Sequence, residues 1–228
     1  MRSVAAAAAV LALSAGGAFA QYDSFGFEGF ALGDMPGQDG WIADTSGDYG
    51  PVQIVLDPTG AGMGNVALFD PPGVAGGWQG VEIDVGPLSG NTVTVEWDQW
   101  RADLNDNVWM ADDSSFGGWW AIQWDTSLGI HSETFGTGVT LQTGVWQHVT
   151  YTFDFAGGTV TVDVDGTSAA GALSDMALDG WVFEYEPGDF AGEGGPLYID
   201  NFRITQVPTP GALAMLGLGG MVAFRRRR

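Results

Sequence analysis

Among its 228 residues the chain has no cysteine and no lysine. Without cysteine the fold cannot be cross-linked by disulfides, and there is no thiol for catalysis or metal binding. A protein of this kind must draw its stability from the size of its core or from a bound ion. The thirteen phenylalanines, ten tryptophans and five tyrosines supply bulky material for such a core.

Basic residues of any kind are scarce. Four of the seven arginines are the last four residues of the chain, and one is Arg2. All 28 acidic residues lie between Gln21 and Val207, where only Arg101 and Arg203 oppose them. A surface this acidic repels phosphate backbones, so the composition excludes nucleic acid as a partner. Most of the carboxylates are expected to form a hydrated shell, with a few left for a cation site.

Convincing helical periodicity is also missing from this region. Short segments alternate between apolar and polar residues, with glycine-rich turns between them. The clearest pair is Val145–Phe155 and Thr159–Asp165, joined at Gly157–Gly158 and followed by the turn Asp165–Gly166. One apolar face per strand predicts sheets packed on one side only, and therefore an all-β fold with two antiparallel sheets in a sandwich. The other predicted strands are Val52–Leu56, Asn65–Phe69, Val81–Val85, Thr92–Trp100, Val108–Asp112, Trp119–Asp125, Trp181–Tyr185 and Leu197–Thr205.

The first twenty residues have the pattern of a secretory signal peptide. Arg2 gives a positive start, Val4–Leu13 is an apolar run, and Ala18 and Ala20 form a small-x-small cleavage site before Gln21. The apolar run is too short to favour an N-terminal membrane helix. We therefore expect residues 1–20 to be removed on export.

The last 21 residues look like a second targeting signal. Pro208 and Pro210 precede an apolar run, Gly211–Phe224, and Arg225, Arg226, Arg227 and Arg228 end the chain. As a helix the run would be about 21 Å long, against roughly 30 Å for a bilayer core. This segment resembles the PEP-CTERM sorting signal, with Thr209 at the position where that family has glutamate. The resemblance implies a short apolar helix, transient membrane contact, removal by an exosortase, and delivery to the surface or extracellular matrix of a Gram-negative-type bacterium. The alternative is a plain single-span anchor.

The region between the two signals carries another resemblance. Trp146-Gln147-His148-Val149, followed by Gly158 to Gly166, is similar to a hairpin of concanavalin A-like and LamG-like jelly rolls. Phe25–Phe30 and Leu197–Arg203 also resemble members of that superfamily. The resemblance covers Tyr22 to Thr205 and implies one domain, residues 21–207, of a superfamily that includes lectins, glycosidases and inert modules.

A structural calcium site follows from this resemblance as an expectation. In such jelly rolls the first and last strands are neighbours, which would bring Glu28, and with it Asp23, near Asp200. Clustered carboxylates repel one another unless they are protonated or bind a metal, and hard oxygen ligands favour Ca²⁺. The alternative is that Asp200 and Asn201 only make hydrogen bonds to neighbouring loops.

A saccharide-binding face is a second expectation. Strand alternation puts Glu96, Asp98 and Trp100 on one face of their strand, opposite the apolar face. The same reasoning puts Trp119 and Gln123 on the polar face of theirs. If both faces belong to one concave sheet, they form a groove in which sugar rings stack on tryptophan and hydroxyls meet carboxylates and an amide. The alternative is that loops cover both tryptophans.

The interpretation is an exported, non-catalytic β-sandwich protein that binds polysaccharide weakly or has a structural role. Its expected partners are an extracellular polysaccharide and, during export, signal peptidase and exosortase. A laminarinase-like glycoside hydrolase is the alternative. It is disfavoured because Glu82-Ile83-Asp84 and Glu96-Trp97-Asp98 both lack the third acid of the pattern in that enzyme class.

Overall fold

The computed structural model describes residues 19–43, 50–70, 79–88, 92–102, 106–112, 120–125, 129–130, 139, 141–172, 178–187 and 195–207. Apart from a 3₁₀ turn at Phe25–Phe27, the regular structure in these ranges is β. The strands are β1 (Phe19–Asp23), β2 (Gly33–Asp34), β3 (Trp41–Ala43), β4 (Gln53–Leu56), β5 (Asn65–Phe69), β6 (Gln79–Leu88), β7 (Thr92–Arg101), β8 (Asp106–Asp112), β9 (Trp120–Asp125), β10 (Gly129–Ile130), β11 (Trp146–Asp154), β12 (Thr159–Val164), β13 (Thr167–Ala172), β14 (Leu178–Pro187) and β15 (Leu197–Val207).

These strands form two antiparallel sheets. The nine-stranded sheet has the order β13-β12-β11-β7-β15-β5-β4-β2, with β1 also paired to β15. The six-stranded sheet has the order β10-β9-β8-β14-β6-β3. The predicted all-β sandwich is thus confirmed.

The core lies between the sheets and is filled by alternate residues of the long strands. Along β7 every second side chain, from Val93 to Arg101, is buried, whereas those between are partly exposed. The ring of Trp97 stacks on Tyr151 with centroids 5.8 Å apart and meets Phe183 of the other sheet edge-on at 5.4 Å. Offset and edge-on packing of this kind adds to the area that each ring buries. Packing between large aromatic residues therefore stabilises a fold that contains no disulfides.

The predicted hairpin is present, with β11 and β12 paired antiparallel from Asp154 opposite Thr159 to Val149 opposite Val164. Tyr151 is opposite Val162, and Phe153 is opposite Val160. Asp165 and Gly166 both have positive φ, 51° and 85°, as a tight hairpin turn requires. The predicted strands agree with the observed ones to within a few residues at their ends, although short or unpatterned strands such as β1, β2, β3, β10 and β13 were not predicted.

The two terminal signals mostly fall outside the described residues. Ala18 and residues 208–228 are not described, so the proline pair, the apolar helix and Arg225–Arg228 stay predictions. Ala20 lies in β1, opposite Thr205. In the described part of the chain no helix has the length and apolar character needed to span a membrane.

Candidate functional site

The solvent-facing side of the nine-stranded sheet, here called the outer face, carries the site. Three neighbouring strands, β11, β7 and β15, present their side chains there in rows set by the pairing register. Rows are listed as β11, β7 and β15 residues: Trp146, Trp100 and Tyr198; His148, Asp98 and Asp200; Thr150, Glu96 and Arg203.

The first row is aromatic. The rings of Trp100 and Tyr198 lie 5.5 Å apart, centroid to centroid. The indole Nε1 of Trp146 donates a hydrogen bond to Thr59 Oγ1 at 2.9 Å, so the loop between β4 and β5 reaches over this end of the sheet. Tyr198 is only 9% exposed, and Trp100 is partly buried. The aromatic row is therefore partly covered by a loop, as the alternative interpretation of Trp100 anticipated.

Four residues of the next two rows form, with Asp23 and Asn201, a connected set of charged and polar groups, here called the polar cluster: Asp23, Glu96, Asp98, His148, Asn201 and Arg203. Asp98 is its centre. One carboxylate oxygen lies 2.7 Å from His148 Nδ1, and the other accepts a hydrogen bond from Asn201 Nδ2 at 2.7 Å.

Glu96 and Asp23 extend the polar cluster through Arg203. Arg203 Nε donates a hydrogen bond to Asp23 Oδ2 at 2.8 Å, and the guanidinium forms ion pairs with the same oxygen at 2.7 Å and with Glu96 Oε1 at 3.5 Å. Glu96 is also 4.0 Å from His148 Nε2. Because the side chains of His148 and Arg203 are each about half exposed, the polar cluster is accessible to a ligand.

A β-bulge explains how Asn201 reaches this surface. The pairing of β15 with β7 shifts between Asp200 and Arg203, and Asn201 has φ 52°. A bulge puts an extra residue into one strand, and asparagine tolerates the left-handed conformation better than most residues. Phe202 consequently stays in the core, whereas Asn201 turns outward towards Asp98.

Asp200 points to the same face but is covered. The turn at Gly26 lies over it: a Cβ added to Gly26 would be 3.4 Å from Asp200 Oδ1 and 3.2 Å from Asn201 Oδ1. Asp200 is therefore only 1% exposed. Burial, with the negative charges of Asp98, Glu28 and Asp57, raises the pKa of Asp200 to about 7, although the hydrogen bond from the Asn201 amide opposes this.

The β4–β5 loop that borders the aromatic row is organised by Asp57. Its carboxylate accepts hydrogen bonds from the amides of Thr59, Gly62 and Met63 and from the Thr59 hydroxyl. Burial by itself would raise the pKa of Asp57, but these bonds favour the charged form and lower it below its ordinary value. Asp57 thus holds the β4–β5 loop in its observed conformation through these four hydrogen bonds.

The three carboxylates predicted to hold calcium do not come together. The first and last strands are paired as expected, but Asp23 is taken by Arg203. Glu28 lies towards the β4–β5 loop, where its Oε1 accepts a hydrogen bond from the Asn65 amide at 3.2 Å. Within the described residues, no three His, Cys, Asp or Glu side chains are grouped closely enough for a metal ion. Asp200 and Glu28 alone offer too few oxygens for the six to eight that Ca²⁺ takes, so no function is assigned here through an ion.

The predicted saccharide groove also needs correction. Glu96, Asp98 and Trp100 share the outer face of β7, as alternation predicted. Gln123, however, belongs to β9 in the six-stranded sheet, and Trp119 lies just before that strand, outside the described residues. Strand alternation fixes which side chains share a face of one strand, but it does not say which strands share a sheet. Gln123 and the β7 residues therefore belong to different sheets.

Several residues of the site were not predicted for it. His148 was considered only as part of the hairpin motif, and Asn201 and Arg203 were not assigned to the sugar site. The alternation of β11 already put His148 on the polar face, but the pairing of β11 and β15 with β7 was needed to bring these residues to Asp98.

Comparisons with known proteins bear on the fold. No protein-family model matches the sequence, and no curated protein sequence is similar to it. Among solved structures, a sialidase superposes with a TM-score of 0.57 at 12% identity, covering 82% of this chain and 19% of the sialidase chain. The cellulose-induced protein Cip1 gives 0.54 at 16% identity, covering 72% of this chain and 89% of Cip1. The carbohydrate recognition domain of Emp47p gives 0.49 at 9% identity, covering 84% and 97%. The chain thus spans about a fifth of the sialidase but most of Cip1, and at these identities the similarity concerns the fold alone.

Proposed function

We propose that this protein is a non-catalytic carbohydrate-binding β-sandwich whose site is the outer face around Asp98. A fold of this kind hosts many functions, so the proposal depends on the surface. Sugars are recognised by ring stacking on aromatic side chains and by hydroxyl hydrogen bonds to carboxylates, amides and imidazoles.

One observation carries the proposal. Next to the aromatic row, the carboxylate of Asp98 holds an imidazole on one side and an amide on the other, each at 2.7 Å. The hydrogen bonds fix the orientation of these groups before any ligand arrives. Preorganised donors and acceptors lose less entropy on binding, which suits a ligand with several adjacent hydroxyls.

A binding role is favoured over hydrolysis by the way the acids are used. A retaining glycosidase needs a nucleophile and an acid/base about 5–5.5 Å apart and free to act on the sugar. Here Glu96 and Asp98 are both tied to Arg203, His148 or Asn201. The hydrolase alternative predicts release of reducing sugar that Glu96→Gln abolishes, whereas the binding proposal predicts no release by the wild-type protein.

The proposed location is the cell surface or the extracellular matrix. It rests on the sequence patterns of residues 1–20 and 208–228. The intact mass of the protein recovered from the medium tests it: a mature form that begins at Gln21 and lacks the arginine tail supports export and sorting. Full-length protein in the cell interior would contradict it.

Binding itself is tested with a glycan array and affinity electrophoresis on the purified protein. We expect Asp98→Asn to abolish binding, because asparagine cannot accept from both His148 and Asn201 and keep their orientation. Asp84→Asn is the matched control, since Asp84 is an exposed acid on β6 of the other sheet, bonded only to the Gly86 amide among the described contacts. Absence of binding to every glycan tested would overturn the proposal.

A further inference from the structure

Phe25 is the most exposed large apolar residue in the described part of the chain, at 79%. It lies in the 3₁₀ turn that follows β1. A phenylalanine exposed to this extent gains nothing from burial, so the fold itself gives no reason for a ring at this position.

The backbone at Phe25 is also strained. Phe25, Gly26 and Phe27 all have positive φ, 50°, 68° and 55°. Only glycine adopts this conformation without cost. Such strain persists only where the surroundings fix the chain, and it concentrates at binding and catalytic sites.

The surroundings here do fix the chain. The Ser24 amide donates to the Phe202 carbonyl, and the Phe27 amide donates to the Ser24 carbonyl, each at 2.9 Å. Phe27 is fully buried and packs edge-on against Phe30 at 5.1 Å. The turn is thus fastened on both sides of Phe25, and the Phe25 ring is left in solvent.

Phe25 sits at the edge of the polar cluster. Its amide donates to Asp23 Oδ1 at 2.9 Å, while the other oxygen of that carboxylate binds Arg203. The next residue, Gly26, lies against Asn201. The chain segment that carries the ring is therefore connected to the polar cluster on both sides.

The charged groups at this site determine whether a neutral or an anionic sugar fits it. Between Gln21 and Val207 the sequence has no lysine and two arginines. Arg101 is only 1% exposed, and the guanidinium of Arg203 is already bound to Asp23 and Glu96. His148 is bound to Asp98. No cation of the polar cluster is left to neutralise a carboxylate or sulfate on a glycan, and the surrounding acids would repel it.

We propose that Phe25 is the stacking platform of the carbohydrate site and that this site takes neutral sugar rings, excluding uronic acids and sulfated sugars. This inference rests on the proposed function. To that function it adds Phe25, an aromatic residue outside the strands, as part of the binding site. It also adds a ligand class, neutral sugars, that follows from the charges around the site.

The test is affinity electrophoresis of the full-length or naturally processed protein in gels that contain neutral polysaccharides (β-glucan, xyloglucan, galactomannan) or anionic ones (alginate, polygalacturonate, dextran sulfate). Isothermal titration calorimetry with oligosaccharides of any neutral polysaccharide that retards the protein then gives the affinity. We expect retardation only in neutral gels. Phe25→Ala should weaken binding about tenfold, and Phe25→Trp should preserve it.

Two further variants separate binding from folding. Phe25→Gly suits the positive φ, so it should melt at the same temperature as the wild type or higher, and yet it should lose affinity. Ile42→Ala removes a comparable apolar side chain, 50% exposed, from β3 of the other sheet and should have no effect.

The outcomes are distinguishable. Unchanged affinity in Phe25→Ala overturns the role of Phe25, and stronger binding to polyuronates overturns the ligand class; both leave the proposed function standing. A lower melting temperature of Phe25→Gly with unchanged affinity would assign the ring a structural role. Absence of binding to all six polysaccharides would overturn the proposed function and this inference together.

Discussion

Asn201 Nδ2 donates a hydrogen bond to Asp98 Oδ2 at 2.7 Å, joining residues that are 103 positions apart in the chain. The bond spans β15 and β7 and depends on the bulge that turns Asn201 outward. It connects the polar cluster to the turn that carries Phe25, because Gly26 lies against the same asparagine.

Asn201 contributes two properties that can be tested separately: a left-handed backbone conformation and a side-chain hydrogen bond to Asp98. Asn201→Gly keeps the left-handed conformation, φ 52°, and we expect it to change the free energy of unfolding by less than about 1 kcal/mol while weakening glycan binding. Asn201→Ala loses both properties and should destabilise the protein by about 1–2 kcal/mol. Urea unfolding of the two variants measures the difference. Equal stabilities would show that the bulge does not need this conformation.

Gly64 lies where the β4–β5 loop meets Glu28. A Cβ at Gly64 would lie 1.6 Å from Glu28 Oε1, and the residue has φ 79°. Because Glu28 is exposed and the end of its side chain can move aside, the added Cβ costs mainly the hydrogen bond from the Asn65 amide to Glu28 and the unfavourable conformation, so we expect Gly64→Ala to destabilise the protein by about 2 kcal/mol.

Gly60→Ala, in the same loop, is the control for this prediction. Gly60 has φ 78° but nothing within 4 Å of the added Cβ, so this substitution should cost only about 1 kcal/mol. Thermal melts compare the two. If they destabilise equally, contact with Glu28 is unimportant.

Asp200 should make stability depend on pH. With a calcium chelator present, the unfolded carboxyl ionises near pH 3.8 but the folded one ionises only near pH 7. The folded state therefore binds the proton more tightly. This proton on Asp200 contributes at most roughly 4 kcal/mol to the free energy of unfolding. The contribution is fully present below about pH 4 and is lost as the pH rises to about 7.

Asp200→Asn removes this titration. Between pH 4 and 7 the free energy of unfolding of the wild type should fall more steeply than that of the variant, as measured by urea unfolding at each pH. The comparison matters because general repulsion among the 28 acidic residues affects both proteins alike. Parallel curves would mean that the folded carboxyl titrates near its ordinary value.

Calcium stays a prediction: Asp200 and Glu28 are too few ligands by themselves, so backbone carbonyls and water would have to complete its six to eight oxygens. A divalent cation would neutralise both charges, so we expect millimolar calcium at pH 8 to raise the melting temperature of the wild type but not of Glu28→Gln or Asp200→Asn. Differential scanning calorimetry with and without EDTA measures this. A melting temperature that EDTA does not change would contradict the prediction of a stabilising calcium ion.

The strands themselves could be read from the chain because alternation is a local property. Glu96, Asp98 and Trp100 fall on one face whatever the rest of the protein does. The pairing of β7 with β11 and β15 is not local, and it alone brought His148 and Arg203 to Glu96. For the same reason Gln123 was correctly predicted to lie in a strand, but the condition that this strand shares a sheet with β7 is not met.

By itself the sequence determined the all-β class, the two strands of the β11–β12 hairpin and an acidic composition without lysine, since each depends on residue type or on neighbours a few positions away. The tertiary structure decided which acids meet which cations. Asp23 pairs with Arg203 rather than joining Glu28 and Asp200, and Phe25 is held in solvent in the turn whose Gly26 lies against Asn201. Contacts between strands far apart in the chain depend on sheet order and on a single bulge, and no local pattern encodes either.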